Sequence, residues 1–184
     1  MPARLGILLS GSGSTYANLV QAIAAGRLPA EIAVVIGSKP GLGGLDKAAA
    51  YGHPTVIAVK PDDVSAALRA HGAQLVAMCG WLKFWDPPAD FSGRVVNIHP
   101  SLLPSFGGKG MYGHHVHDAV LAHGCKLSGC TVHLVGGAYD TGPILAQQAV
   151  PVLPDDTPAS LAARVQAAER ELYPGVIARL IAAI

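Results

Sequence analysis

Five short apolar runs, set apart by stretches of helical spacing, constrain this chain more than any other feature. Arg4–Leu9, Glu31–Ile36, Thr55–Val59, Gln74–Cys79 and Arg94–Ile98 each have the length and apolar content of a strand. Consecutive apolar positions, rather than alternating ones, mark strands buried on both faces, which is the habit of parallel sheets. Ser14–Gly26 reads as a helix with Leu19, Ala22 and Ile23 on one face, and Gly44–Tyr51 as a shorter one. Pro61 suits the first turn of a third helix, where Val64, Leu68 and His71 recur at helical spacing. After the loop marked by Pro87-Pro88, Met111–His123 reads as helical, Ser128–Val135 and Pro143–Val150 as extended, and Thr157–Ile184 as mostly helical. Asp156 stands where a cap is needed, and Pro174 is expected to kink or break that last helix. The pattern predicts an α/β fold: three layers, a mostly parallel twisted sheet with helices on both faces, in a single domain over residues 1–184.

Composition excludes several classes of function. The chain has 184 residues, 51% hydrophobic and 14% charged, with a formal net charge of +1. That balance offers no basic arm or patch for nucleic acid. No apolar run approaches a bilayer span, and Gly-Ser-Gly-Ser interrupts the first run before it can serve as a signal peptide. Cys79, Cys125 and Cys130 are odd in number and lack a C-x-x-C pair, as expected of reduced thiols in a cytoplasmic protein. A monomer or homodimer acting on small molecules is the expectation.

In a sheet of this kind ligands bind beyond the carboxyl ends of the strands, where strand order reverses. Gly11-Ser12-Gly13-Ser14 lies at such an end, between the first strand and the first helix. Its glycines allow a tight turn, and the helix N-terminus behind them favours an anion. A dinucleotide fingerprint wants a small residue where Tyr16 stands and an acid where Gly37-Ser38-Lys39 stands, and no Gly-Lys-Ser/Thr completes a P-loop. A single phosphate monoester suits the turn better.

Asn97 and His99 close the fifth apolar run, two positions apart, so their side chains project to one side. Pro100 and Pro104 stiffen the exit loop. Asn97 can donate a hydrogen bond to a carbonyl oxygen, and His99 can carry a proton near neutral pH.

Asn97-Ile98-His99-Pro100-Ser101-Leu102-Leu103-Pro104, Gly129-Cys130-Thr131-Val132-His133 and Asp140-Thr141-Gly142-Pro143 together resemble the folate-dependent formyltransferase family. Ser10-Gly11-Ser12-Gly13-Ser14 and Glu171-Leu172-Tyr173-Pro174 point to the branch whose acceptor is glycinamide ribonucleotide, in purine synthesis. The resemblance spans nearly the whole chain and implies a Rossmann-like formyltransferase fold. It implies 10-formyltetrahydrofolate as formyl donor, a tetrahedral oxyanion stabilised by Asn97 and His99, and Asp140 raising the pKa of His99 and helping to move protons. Gly13, Ser14 and Thr15 would hold the substrate phosphate and Glu169 the ribose hydroxyls. Leu82, Lys83, Phe84 and Trp85, with Asn97, would line the folate pocket. Thr131 and His133 would support the site or merely pack in their strand.

The chain departs from the family pattern at Gly107, where relatives usually carry proline, and at Gly136 or Gly137, where they usually carry an acid; looser loops beside the folate follow. The family's arginine after the third strand has no clear counterpart, Lys60 being the nearest cation, and the chain stops at Ile184, before a C-terminal extension common among relatives. His114, His115 and His117 lack a carboxylate that completes a ligand set, Asp118 being adjacent rather than facing, so no metal is expected. Two rival functions share the residues: a formyltetrahydrofolate hydrolase, which would carry a further N-terminal domain, and a non-catalytic folate- or phosphosugar-binding module. A methionyl-tRNA formyltransferase would need a longer chain with a basic C-terminal domain.

Overall fold

The computed structural model of the chain describes residues 1–183; Ile184, the last residue of the expected domain and of its final helical segment, lies outside them. Seven strands form one sheet in the order β3-β2-β1-β4-β5-β6-β7. They are β1 (Ala3–Leu9), β2 (Ala30–Gly37), β3 (Thr55–Ile57), β4 (Leu75–Met78), β5 (Val95–His99), β6 (Leu127–Leu134) and β7 (Ile144–Pro151). The first five run parallel, and β6 runs antiparallel to both of its neighbours. Strand order reverses between β1 and β4, which places the switch point at the Gly-Ser turn. Five helices complete the fold: α1 (Ser14–Ala24), α2 (Gly43–Ala50), α3 (Pro61–Ala70), α4 (His114–Ala122) and α5 (Pro158–Ile181).

Alternate residues of each buried strand feed two cores. Leu5, Ile7 and Leu9 of β1 join α1, α2, α4 and α5 on one face, through Leu19, Ala48, Val120 and Val165. Leu8, Val76 and Met78 face the other way, against Val64 and Leu68 of α3. The second face has only that one long helix. The β4–β5 connection covers the rest with aromatic rings, Trp81, Trp85 and Phe91, around a short 3-10 turn at Ala89–Phe91. Helices thus lie on both faces, as expected, but unequally.

Three local expectations are corrected. Helix α4 begins at His114 instead of Met111, because Gly108, Gly110 and Gly113 all take positive φ. The cap of α5 is Thr157, whose Oγ1 accepts from Ser160 N at 3.2 Å while Ser160 Oγ accepts from Thr157 N at 2.9 Å, a reciprocal capping box. Asp156 instead pairs with Arg164 at 2.7 Å and accepts from Leu153 N.

The third correction concerns Pro174, which α5 passes through without a break. A mid-helix proline lacks the N–H that would reach the carbonyl four residues back, here Arg170 O. Asn18 of α1 replaces it: its Nδ2 donates to Arg170 O at 3.0 Å from a largely buried position. The proline therefore leaves no orphan carbonyl, and it ties α5 to α1. One residue earlier, the buried Tyr173 hydroxyl lies 2.9 Å from Met78 O and 3.0 Å from Val96 O, anchoring α5 beneath the ends of β4 and β5.

A double-mutant cycle tests this account. Asn18→Ala is expected to cost about 1–3 kcal/mol of unfolding free energy, the usual penalty for an unsatisfied buried acceptor. In a Pro174→Ala background, where the backbone N–H returns, denaturant titration should show a markedly smaller cost.

Candidate functional site

The residues singled out above converge at the carboxyl ends of β1, β4 and β5. Ser10 N donates to Gly80 O at 3.0 Å and Leu82 N to Ser10 Oγ at 3.0 Å, which joins the two loops at the switch point. A cleft of about 930 Å3 opens there. Ser14 and Thr15, Leu82, Asn97 and His99, Asp140 and Glu169 all line it.

At one end of the cleft stands the N-terminus of α1. Its cap residue, Gly13, sits at φ 72°, ψ 31°, and no side chain caps the helix. The first amide groups of α1 thus have no intrahelical acceptor, and the dipole is unopposed. A Cβ on Gly13 would lie 2.6 Å from Gly44 Cα, so this turn admits only glycine on both conformational and steric grounds. Glu169, half-buried on α5, borders the same end, and burial pushes its carboxyl up to about 7.

At the other end β5 and β6 pair in antiparallel register, Asn97 opposite His133 and His99 opposite Thr131. Asn97 Nδ2 lies 3.2 Å from His133 Nε2 and 3.5 Å from Asp140 Oδ1. Asp140 Oδ2 lies 3.5 Å from His99 Nδ1, and its Oδ1 3.5 Å from His133 Nε2. The Phe106 carbonyl accepts from His99 Nε2 at 2.8 Å, which leaves Nδ1 turned toward the carboxylate. Thr131 holds the loop after His99: its hydroxyl donates to Ser101 O at 2.7 Å and accepts from Leu103 N at 3.0 Å. Both Thr131 and His133 therefore belong to the construction of the site.

Burial is the largest effect on the His99 pKa and holds it below the ordinary value. Asp140 pulls it upward, as expected, and so does the Phe106 carbonyl, but burial outweighs both. Burial raises Asp140, but His133, His99 and the Gly108 N–H, which donates at 2.9 Å, outweigh it and keep the carboxyl below its usual range.

The folate set divides. Leu82 lines the main cleft, while Lys83, Phe84 and Trp85 line a recess of about 60 Å3 beside it, shared with Asn97, His133, Tyr139 and Asp140. Trp85 is core as much as wall: it is 2% exposed, and its indole N–H donates to Ser65 Oγ at 3.1 Å. Phe84 is exposed and meets Tyr139 edge-on at 5.3 Å.

The glycine departures also divide. Gly136 and Gly137 face open space, but a Cβ on Gly107 would meet Leu103 Cδ2 at 2.5 Å and Asp140 Cβ at 3.3 Å. That position is closely packed against the site, contrary to the expected looseness.

The histidine cluster splits as well. His117 is 3% exposed, lines the main cleft, and its Nδ1 has no partner among the described residues. His114, His115 and Asp118 are exposed, with one ligand atom each within 4.8 Å of one another. Asp118, expected to point away, returns to His114 after one helical turn. Trp81, Tyr139 and Gln166 also line the cleft unannounced; nothing in their local sequence marks them, whereas the T-x-H spacing of Thr131 and His133 repeats that of Asn97 and His99.

The chain is similar to known proteins over most of its length. The formyl transferase family model matches residues 3–177. The chloroplastic phosphoribosylglycinamide formyltransferase of Arabidopsis thaliana is 38% identical over 95% of this chain, and the Mycobacterium tuberculosis phosphoribosylglycinamide formyltransferase is 40% identical over 97% of it and 85% of the relative. The chain spans 64% and 60% of the length of the two plant relatives it matches. The crystal structure of phosphoribosylglycinamide formyltransferase from Brucella melitensis superposes with a TM-score of 0.88 at 40% identity, covering 100% of this chain and 98% of that one. The Bacillus halodurans enzyme of the same name gives 0.89 at 33% identity, covering 97% and 95%.

Two outcomes test the site as described. Gly13→Ala forces an unfavourable φ and a backbone clash, so denaturant unfolding should show a loss above about 2 kcal/mol. The pH dependence has a definite sign. His53, His99 and His117 are each lowered by burial from 6.5, so on acidification below that value the unfolded chain binds protons that the folded chain refuses. Stability should be complete above pH 6.5 and fall as pH drops toward the folded values, with a shallower fall in His117→Gln. A melting temperature that is flat or rising from pH 7 to about pH 5 would contradict the neutral imidazoles.

Proposed function

Because the chain belongs to the formyl transferase family, we propose that it moves the formyl group of 10-formyltetrahydrofolate to the amine of glycinamide ribonucleotide. One observation carries this reading: a single cleft joins an uncapped helix N-terminus, suited to a phosphate, to the Asn97–His99–Asp140 cluster, with a partly aromatic recess alongside. A phosphorylated acceptor and a folate donor can then meet at the cluster.

In this proposal the acceptor's phosphate docks on Gly13, Ser14 and Thr15, and its ribose hydroxyls on Glu169. The pterin lies along Leu82 and the Lys83–Trp85 segment. The amine attacks the formyl carbon, forming a C–N bond and a tetrahedral oxyanion. Asn97 Nδ2 donates to that oxygen. His99, kept neutral by burial, takes the amine's proton at Nδ1 and becomes an imidazolium facing Asp140 and the oxyanion. Collapse breaks the bond to the folate nitrogen, which receives the proton from His99. The backbone hydrogen bond to Phe106 fixes the tautomer this requires. No step here calls for a metal. Membership of the formyl transferase family implies a folate-derived formyl donor.

The test is an absorbance assay with 10-formyltetrahydrofolate, with and without glycinamide ribonucleotide. Deformylation should require the acceptor, and Asn97→Ala or His99→Ala should each lower kcat on the order of 100- to 1000-fold. Deformylation without acceptor would mean a hydrolase, and folate binding without turnover a binding module.

A further inference from the structure

A phosphate monoester brings between one and two negative charges at neutral pH, about −1.5 to −2 in an ester of this kind. The turn assigned to it above, Ser10-Gly11-Ser12-Gly13-Ser14-Thr15, contains no cation. One cation touches that turn from a distant part of the chain and a second borders it.

Lys47 comes from α2, and its Nζ donates to Ser12 O at 2.6 Å. Its side chain is half-buried, and the start of its helix is pressed against the turn: Gly44 N donates to Gly11 O at 3.1 Å. A charged donor on the Ser12 carbonyl fixes that peptide's orientation and places a positive charge behind the amides of Gly13, Ser14 and Thr15.

Arg170 comes from α5. With Ser14, Thr15, Asn18, Gln166 and Glu169 it lines a recess of about 30 Å3 beside the main cleft. Among the described residues its guanidinium makes no ion pair, unlike Arg4, Arg69 and Arg164, each of which has a carboxylate. Its backbone is not free to drift, because Asn18 holds its carbonyl. Its charge acts on the Glu169 carboxyl, which burial pushes up to about 7, so an exposed cation bordering this helix N-terminus can serve a bound anion as well.

We propose that Lys47 and Arg170 together supply the charge that selects a phosphorylated acceptor. Arg170 meets the phosphate directly. Lys47 is a positioning residue, holding the turn so that its amides stay aimed at the cleft. The proposal rests on the acceptor reading above and adds to it the residues that discriminate a sugar phosphate from the bare sugar.

The experiment compares wild type with Arg170→Ala, Arg170→Lys, Lys47→Met and Lys47→Arg. Calorimetry measures ribose 5-phosphate binding, and initial rates are taken with glycinamide ribonucleotide and with its dephosphorylated nucleoside. Arg170→Ala and Lys47→Met should each weaken ribose 5-phosphate about tenfold, as loss of one charge-assisted contact does, and raise KM for the phosphorylated acceptor by a similar factor. KM for the nucleoside should not move, and Arg170→Lys and Lys47→Arg should recover most of the loss. Unchanged ribose 5-phosphate affinity, or equal losses toward both acceptors, would overturn the proposal in favour of a structural role. If the variants lose ribose 5-phosphate but no wild-type formyl transfer occurs, the charge assignment stands and the acceptor reading falls; intact transfer with unchanged binding has the opposite meaning.

Discussion

The buried carboxylate of Asp140 is the constraint around which the chemical end of the molecule is arranged. An ionised carboxyl withdrawn from water costs several kcal/mol unless it is surrounded by donors and positive charge. Here it collects His99 and His133 at 3.5 Å each and the Gly108 amide at 2.9 Å. Reaching that position requires backbone strain: Asp140 itself sits at φ 56°, as does Phe106, whose carbonyl fixes His99. Two non-glycine residues in the left-handed region, both touching one histidine, are strain that persists only because the surrounding contacts over-determine it. The close approach of Gly107 to Asp140 Cβ follows from the same demand, since the loop must fold over the carboxylate to deliver an amide.

That arrangement is possible because the sheet changes direction after β5. A sixth parallel strand would need a helical crossover on one face and would cover the side chains of Asn97 and His99. An antiparallel β6 instead sets His133 and Thr131 directly opposite them, on the same face of the sheet as Val95 and α3. The opposite face of the same strands, with Val96, Ile98, Cys130 and Val132, stays in the larger core. Alternation along two short strands thus separates a polar row from an apolar one, and the polar row lies at the cleft.

The parts of the fold legible in the sequence are those set by local pattern. β1, β2, β4 and β5 are doubly buried and announce themselves as apolar runs, and Asn97 and His99 stand out because a polar pair ends one of them. What escaped depends on partners remote in the chain. Pro174 reads locally as a break; the donor that spares the helix is Asn18, 152 residues from the Arg170 carbonyl it reaches. His133 reads equally as site support or strand packing until the register with β5 is known. His117 looks like its exposed neighbours until the phase of α4 turns it inward, and Trp85 looks like pocket wall until Ser65 claims its indole. Lys47 and Arg170 sit outside any motif, and only the packing of α2 and α5 brings them to the turn.

The two ends of the cleft are built from different materials, and this bears on how they can change. The end proposed for the phosphate is framed by backbone: an uncapped helix start, a glycine with no room for a side chain, and α5 tied to α1 by Asn18 and to β4 and β5 by Tyr173. Such a device recognises charge and shape equally in ground state and transition state, so it sets affinity more than rate. The chemical end is side chain, with an imidazole kept neutral by burial and a carboxylate placed to favour its protonated form once charge develops. In the proposed reaction that interaction strengthens as charge develops, which is the condition for accelerating it. A chain that alters cations around the turn can therefore retune which acceptor it takes while the Asn97–His99–Asp140 chemistry stays as it is.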